Sequence, residues 1–317
     1  MKYFNFKNSE HLKIATCKKT LGHGGFANVK LFECNDTHDT HDTHDTHVEC
    51  NKLFVLKELK MDINCYNRED MILKYNAIHS MLLNEYKIGS KLNHPNIMKI
   101  IDMDERAHCL MLEHIVGTDL LDYLNLNGCE NGEYLITSFY YVLDALEYMH
   151  EIGFAHRDIK LENILLDMKN NKAVKLIDFG QSFEFKKDET YIHSHDICGT
   201  EGYFPPEYYN QLEYMPDKVD VWCCGVVLYN LVFDCMPWEH PKRKKDDINS
   251  RCYYYFKDNQ LEPNVFNSNK YKIKVKPEDI PIINDIFKSI FKLDASKRTT
   301  IKEIKEKVLK LSLCQVK

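Results

Sequence analysis

Asp158, Lys160 and Asn163 fall within six consecutive residues of His156-Arg157-Asp158-Ile159-Lys160-Leu161-Glu162-Asn163. Fifteen residues beyond Asn163, after an apolar run at 174–177, comes Asp178-Phe179-Gly180. A carboxylate and a side-chain amide returned to one place by a short hairpin make a hard-oxygen site that suits Mg²⁺, with phosphates completing the shell. A second aspartate nearby, not bound to metal, would orient a hydroxyl and take its proton. Leu21-Gly22-His23-Gly24-Gly25-Phe26-Ala27-Asn28-Val29 lies between two predicted strands. Its glycines let backbone N–H groups approach phosphate oxygens because no Cβ intervenes, although such a hairpin taken alone is more often just a turn. Phe54-Val55-Leu56-Lys57 ends an apolar strand on a lysine, which is unusual unless the ammonium meets an anion or a carboxylate. Glu85 on the following helical stretch is the candidate partner, with Glu69 as the weaker alternative.

Those groups need elements to carry them. Residues 13–21, 27–33 and 53–59 show short apolar or alternating runs bounded by Gly, Asn or Asp and predict strands. Met81, Leu82, Tyr86, Ile88 and Leu92 fall near helical spacing, and His94-Pro95-Asn96 ends that helix. Strands are expected at 97–102 and 108–113, and helices at 118–124, 134–152, 218–233, 279–292 and 299–311. A β-rich first third followed by a helical remainder predicts an α+β protein of two lobes joined near 113–118. Residues 36–47 repeat Asp-Thr-His four times, with no apolar face to offset the entropy of ordering. A disordered insertion between strands is the expectation there; adventitious metal binding by His38, His41, His44 and His47 is the alternative.

The chain has 317 residues, 44% hydrophobic and 28% charged, enough for a sizeable core. A formal net charge of −6 argues against a polyanion-binding surface, so no nucleic-acid partner is expected. The twelve cysteines include no C-x-x-C pair and are scattered apart from adjacent Cys223 and Cys224, a pattern poor for zinc and for a disulfide scaffold. Reduced thiols in a cytoplasmic compartment fit better. The N-terminal stretch lacks the apolar core of a signal peptide, Lys2 precludes myristoylation, and the run 221–233 is too short to span a bilayer. A soluble cytoplasmic protein with no membrane partner is expected.

The glycine-rich loop, the lysine strand, H-R-D-x-x-x-x-N, D-F-G and Pro205-Pro206-Glu207 as a variant of A-P-E occur in the order of the eukaryotic protein kinase family, which the chain resembles over residues 13–311. The resemblance implies a bilobal kinase fold with a small β-rich N-lobe holding one main helix and a larger helical C-lobe. It divides the chain into an extension (1–12), N-lobe (13–113), hinge (114–118), C-lobe (119–311) and tail (312–317). It implies ATP as phosphoryl donor and Mg²⁺ as cofactor, with Mn²⁺ as a substitute. By the same resemblance Leu21, Gly22, His23, Gly24, Gly25, Phe26, Ala27 and Val29 cover the nucleotide. Lys57 holds the α- and β-phosphates and pairs with Glu85. Asn163 and Asp178 ligate the metal, Asp158 positions the acceptor hydroxyl as base, and Lys160 neutralises the γ-phosphoryl charge. Leu112 is the gatekeeper, the backbone of Glu113 and Ile115 reads the adenine edge, and Asp119 meets the ribose. Lys160, together with Thr200 as a partner of Asp158 and Lys160, points to the serine/threonine class. Glu207 with Arg298 braces the peptide platform, and Asp220 opens the helix beneath the catalytic loop.

Several positions depart from that pattern. Ala27 replaces the third loop glycine, Pro205 the usual alanine of A-P-E, and extra residues lie between Lys57 and Glu85. Asp196 stands two before Cys198-Gly199-Thr200, where related kinases often carry a phosphate that pairs with the arginine of H-R-D. A permanent carboxylate facing Arg157 implies partial activity without an upstream kinase, through a weaker clamp than phosphate gives. A solvated loop aspartate is the alternative. Thr190, Tyr191, Ser194 and Thr200 are candidate phosphorylation sites. Glu162 stands where basophilic kinases often contact arginine, but Asn230 replaces a second common acid, so strong basic-residue preference is not expected. The basic cluster at 241–245 is read as a solvated loop, with nuclear import or an acidic partner as the alternative, and Tyr253-Tyr254-Tyr255 as helix packing.

A monomeric serine/threonine protein kinase acting on Ser/Thr hydroxyls of protein substrates follows from these expectations. A pseudokinase scaffold and a small-molecule kinase are the alternatives.

Overall fold

The computed structural model of the chain describes residues 2–3, 14–23, 27–34, 53–60, 68–169, 173–210, 213–237 and 271–316. They fall into two compact units, Met1–Asn93 with Met98–Ile115, and His94–Ile97 with Val116–Lys317.

The first unit is an antiparallel sheet with one helix. Strands β1 (Lys2–Tyr3), β2 (Ile14–His23), β3 (Ala27–Cys34), β4 (Leu53–Leu59), β5 (Ile100–Asp104) and β6 (Cys109–Glu113) lie in the order β1-β2-β3-β4-β6-β5. Alternation puts Ala15, Phe32, Phe54, Leu56, Cys109 and Met111 in one buried cluster, with the Phe32 and Phe54 rings stacked at 5.9 Å. Each such aromatic contributes on the order of 1.5–3 kcal/mol by leaving water. Helix α1 (Arg68–Gly89) buries only its later face, through Ile78, Leu82, Glu85 and Ile88, while Met71, Ile72 and Leu73 stay exposed. The expected strand at 97–102 starts later, at Ile100, because His94-Pro95-Asn96 makes a turn closed by Ile97 N–H donating to His94 O.

The second unit is mainly helical. Strand β7 (Gly117–Asp119) leads directly into α2 (Leu120–Asn127); α3 (Gly132–Glu151) and β8 (Phe154–Ala155) follow. Thr118, expected to start a helix, is instead in the strand, because Asp119 is the N-cap and accepts from Asp122 N–H at 2.9 Å. Strands β9 (Ile164–Asp167) and β10 (Ala173–Leu176) form a hairpin, with β7 on the other edge of β9. The short strands β11 (Phe183–Glu184), β12 (Lys186–Lys187) and β13 (Thr190–Tyr191) precede helices α4 (Glu207–Asn210), α5 (Pro216–Phe233), α6 (Ile280–Ile290) and α7 (Ile301–Val308). Helix α5 is buried nearly all round, so it forms the centre of this unit rather than a face of it. Helix α7 begins at Ile301 rather than 299 because Thr300 and Glu303 form a capping box. Among the described residues no helix is long and apolar enough to cross a membrane. The repeat at 36–47, the cluster at 241–245 and Tyr253–Tyr255 lie outside the described residues.

Candidate active site

In the second unit a loop at 156–163 carries most of the reactive groups, and α5 holds it from below. Asp220, fully buried on α5, accepts from His156 N–H at 2.8 Å and Arg157 N–H at 2.7 Å, and its carboxylate also meets His150 Nε2 at 2.8 Å. A buried carboxylate would be costly unpaired, and here backbone donors satisfy it. Arg157 and Asp178 both take positive φ, 65° and 67°, a region costly for residues with a Cβ and tolerated where neighbours over-determine the backbone. The His156 ring supplies part of that constraint. Its Nε2 lies 3.0 Å from Ile177 O, and it packs edge-on against Phe179 at 5.4 Å.

Around Asp158 the polar groups converge. Asn163 Nδ2 donates to Asp158 O at 2.7 Å and to Asp158 Oδ2 at 3.0 Å. Lys160 Nζ lies 2.9 Å from Asp158 Oδ2 and donates to Thr200 Oγ1 at 2.8 Å. The Thr200 hydroxyl in turn donates to Asp158 Oδ1 at 3.0 Å. Gly199 makes this approach feasible: its φ is +95°, and a Cβ there would lie 2.7 Å from Arg157 O. The β9–β10 hairpin returns the chain so that Ile177 N–H donates to Asn163 O at 3.0 Å, setting Asp178 beside the asparagine.

That donor set fits a hard divalent cation. The Asn163 amide nitrogen is committed to Asp158, which leaves its oxygen as the atom that would face a cation, and Asp178 would add a carboxylate. Among the described residues no group of three or more His, Cys, Asp or Glu could hold a metal alone. Two protein ligands completed by phosphate and water are what Mg²⁺ accepts.

In the first unit Lys57, on β4, meets Glu85 of α1 with Nζ 2.7 Å from Oε2; the glutamate side chain is 5% exposed. Glu69 is instead exposed in the first turn of α1. Lys57 pairs in register with Val29 of β3, so the strand that follows the glycine-rich segment runs beside it. Leu112 is buried on β6, and Glu113 N–H donates to Lys99 O at 3.0 Å. Ile115 is half-buried, Leu21 exposed and Ala27 buried, while Gly24, Gly25, Phe26 and the His23 side chain lie outside the described residues.

These motifs, their order and their local pairing coincide with one family: the protein kinase domain model matches residues 16–309. The chain belongs to the protein kinase family. Its kinase domain is 32% identical over 291 residues to a probable serine/threonine-protein kinase of Dictyostelium discoideum, covering 91% of this chain and 30% of that protein. It is 31% identical over 242 residues to the serine/threonine-protein kinase HAL4/SAT4 of Saccharomyces cerevisiae, covering 74% of this chain and 37% of that one. It is 28% identical over 291 residues to the SNF1-related protein kinase catalytic subunit alpha KIN12 of Arabidopsis thaliana, covering 91% and 49%. The chain thus spans less than half the length of each of these relatives.

Other kinase-domain residues are placed as follows. Arg298 donates to both carboxylate oxygens of Glu207, at 2.7 and 2.6 Å, with both side chains fully buried. Asn230 is buried, its amide donating to Val226 O, so it is engaged inside the fold rather than offered to a peptide. Asp119 spends its carboxylate on capping α2, and burial raises its pKa. Of the four candidate phosphorylation positions Thr190 is exposed, whereas Ser194 is 1% exposed and bonded to Arg157. Tyr191 donates to Asp217 at 2.5 Å, and Thr200 is held by Asp158 and Lys160. Asp196 Oδ2 lies 3.4 Å from Arg157 Nη1 with its side chain 71% exposed. Sequence reasoning missed the nearer partners of that arginine, Gln181 O, Ser194 and Tyr214. No spacing marked them, because a hydroxyl in a loop carries no pattern.

Proposed function

We propose that the chain is a serine/threonine protein kinase that transfers the γ-phosphoryl group of ATP to protein hydroxyls with Mg²⁺. The observation that carries this is the cluster in which Thr200 and Lys160 both meet the Asp158 carboxylate, at 3.0 and 2.9 Å. A small, uncharged hydroxyl entering beside that carboxylate is oriented by it and gives it its proton as the oxygen bonds to phosphorus. The bond from phosphorus to the bridging oxygen of ADP breaks in the same displacement. Lys160 supplies positive charge next to the transferred group, Lys57 holds the α- and β-phosphates, and Glu85 keeps that ammonium in place. Asn163 and Asp178 would hold the cation, whose charge would neutralise the phosphates. Catalysis rests on alignment and charge, with no covalent intermediate.

The unphosphorylated chain has basal activity in this account, since Arg157 already has oxygen partners, the Asp196 carboxylate among them. The nucleotide-loop, gatekeeper and adenine roles of Leu21 to Val29, Leu112, Glu113 and Ile115 follow family membership.

The test uses purified chain, radiolabelled ATP, Mg²⁺ and a panel of protein substrates, with phosphoamino-acid analysis. Label on serine or threonine that disappears in Asp158→Asn is the expected result. Transfer indifferent to that substitution, or label on small molecules alone, would overturn the assignment. ATP binding without transfer would instead mark a scaffold.

A further inference from the structure

Arg157 is a buried cation whose nearest partners are neutral. With its side chain 5% exposed, its Nε donates to Gln181 O at 2.7 Å, and its Nη1 donates to Ser194 Oγ at 2.7 Å and to the Tyr214 phenol at 2.9 Å. The guanidinium also lies over the Phe183 ring, 4.9 Å from its centre. The Asp196 carboxylate is farther, at 3.4 Å, and stands mostly in water, where such pairs are weak. A buried guanidinium must have its donors satisfied, and here hydroxyl and carbonyl oxygens do most of that.

Tyr214 does more than accept one bond. Its hydroxyl donates to Asp196 O at 2.6 Å while accepting from Arg157, so the phenol bridges the catalytic loop at 156–163 and the activation segment, which runs from Asp178 to Glu207. Its backbone pairs with Ser194 in both directions, at 3.0 and 2.9 Å. The ring is buried and packs against Tyr208 at 4.7 Å between centres. Cys198-Gly199-Thr200 begins two residues after Asp196, and Thr200 is the residue that meets Asp158.

We propose that Tyr214 is a positioning residue: its phenol clamps residues 194–196 to Arg157, so that Thr200 reaches Asp158 without any phosphate on the activation segment. The proposal rests on the kinase activity proposed above and deepens it by naming what orders the segment. Asp196 is then a minor contributor, and the uncharged clamp tolerates salt that would screen an exposed ion pair.

Tyr214→Phe keeps the ring and the backbone pairing and removes only the hydroxyl. In phosphatase-treated protein kcat falls about ten- to a hundredfold, the span expected for a lost hydrogen bond to a charged group. KM for ATP stays within about twofold, because the nucleotide contacts are untouched. Asp196→Ala loses less than about threefold, as befits an exposed pair. Amide hydrogen exchange over 192–200 gives a second readout that needs no activity. Exchange there is about tenfold faster in Tyr214→Phe than in wild type or Asp196→Ala. Equal exchange in all three proteins, or wild-type activity lost on phosphatase treatment, overturns the clamp. A wild-type chain with no transferase activity at all would sink the kinase assignment, and the exchange rates would still decide on Tyr214.

Discussion

Thr200 donates its hydroxyl to Asp158 Oδ1 at 3.0 Å and accepts at the same oxygen from Lys160 Nζ at 2.8 Å. One side-chain oxygen thus fixes both the proposed base and the proposed phosphate-facing cation. Valine has nearly the shape of threonine and no hydroxyl, so Thr200→Val isolates this bond. Steady-state kinetics should show kcat lowered about ten- to a hundredfold with the thermal midpoint little changed. A variant as fast as wild type would mean that the hydroxyl holds neither group in the working enzyme.

Lys57 and Glu85 form a pair with the glutamate almost fully buried. Glu85→Gln keeps the volume and one acceptor but removes the charge that fixes the ammonium. The expected result is a kcat/KM lower by roughly 10²-fold or more, with Lys57→Met lower still, measured over a range of ATP concentrations. Equal activity in Glu85→Gln and wild type would show that another group positions the lysine.

The Glu207–Arg298 contact is bidentate and fully buried, and Arg298 also lies over the Trp222 ring at 4.8 Å. Lysine cannot reproduce the two parallel bonds or the planar stacking. Arg298→Lys keeps the charge but loses the fork, and should cost about 1.5–3 kcal/mol, the scale of a lost hydrogen bond to a charged group, read as a lower chemical-denaturation midpoint at constant slope. An unchanged midpoint would refute a structural role for the pair.

Glu303 closes the cap of α7, and its carboxyl is held below the ordinary 4.5, first by the Thr299 hydroxyl and next by the Thr300 backbone N–H. A depressed carboxylate contributes stability that is fully present above its unfolded pKa and lost as pH falls through the folded one. Thermal melts of Glu303→Gln and wild type should therefore differ near pH 6, and the gap should close as the pH falls below the ordinary carboxylate range and through the lowered folded-state value. A gap that persists in acid would point to packing instead of the charged cap.

Much of this was legible in the sequence because the informative residues sit in rigid spacing. Leu53–Leu59 shows its strand by an apolar run ending on Lys57, and the apolar run at 218–233 shows α5. The partnership of Lys57 with Glu85 was legible as a candidate, but Glu69 lies on the same helix, and burial and the 2.7 Å contact are what separate them. Asp119 was harder still. A carboxylate at a strand–helix junction serves equally as cap or ligand contact, and composition does not distinguish these uses. Of the surroundings of Arg157 only Asp196 was visible, because Ser194 and Tyr214 meet it through tertiary folding, 37 and 57 residues away along the chain.

The bond between Glu207 and Arg298 spans 91 positions of the polypeptide. A ribosome adding roughly 5–20 residues per second needs on the order of 5–20 s to travel between them. Throughout that interval a nascent chain displays the acidic member with no guanidinium to receive it. This buried pair therefore closes only after residue 298 has been made, and a product truncated before Arg298, its Glu207 carboxylate left without the bidentate partner, is a natural client for chaperones and proteases.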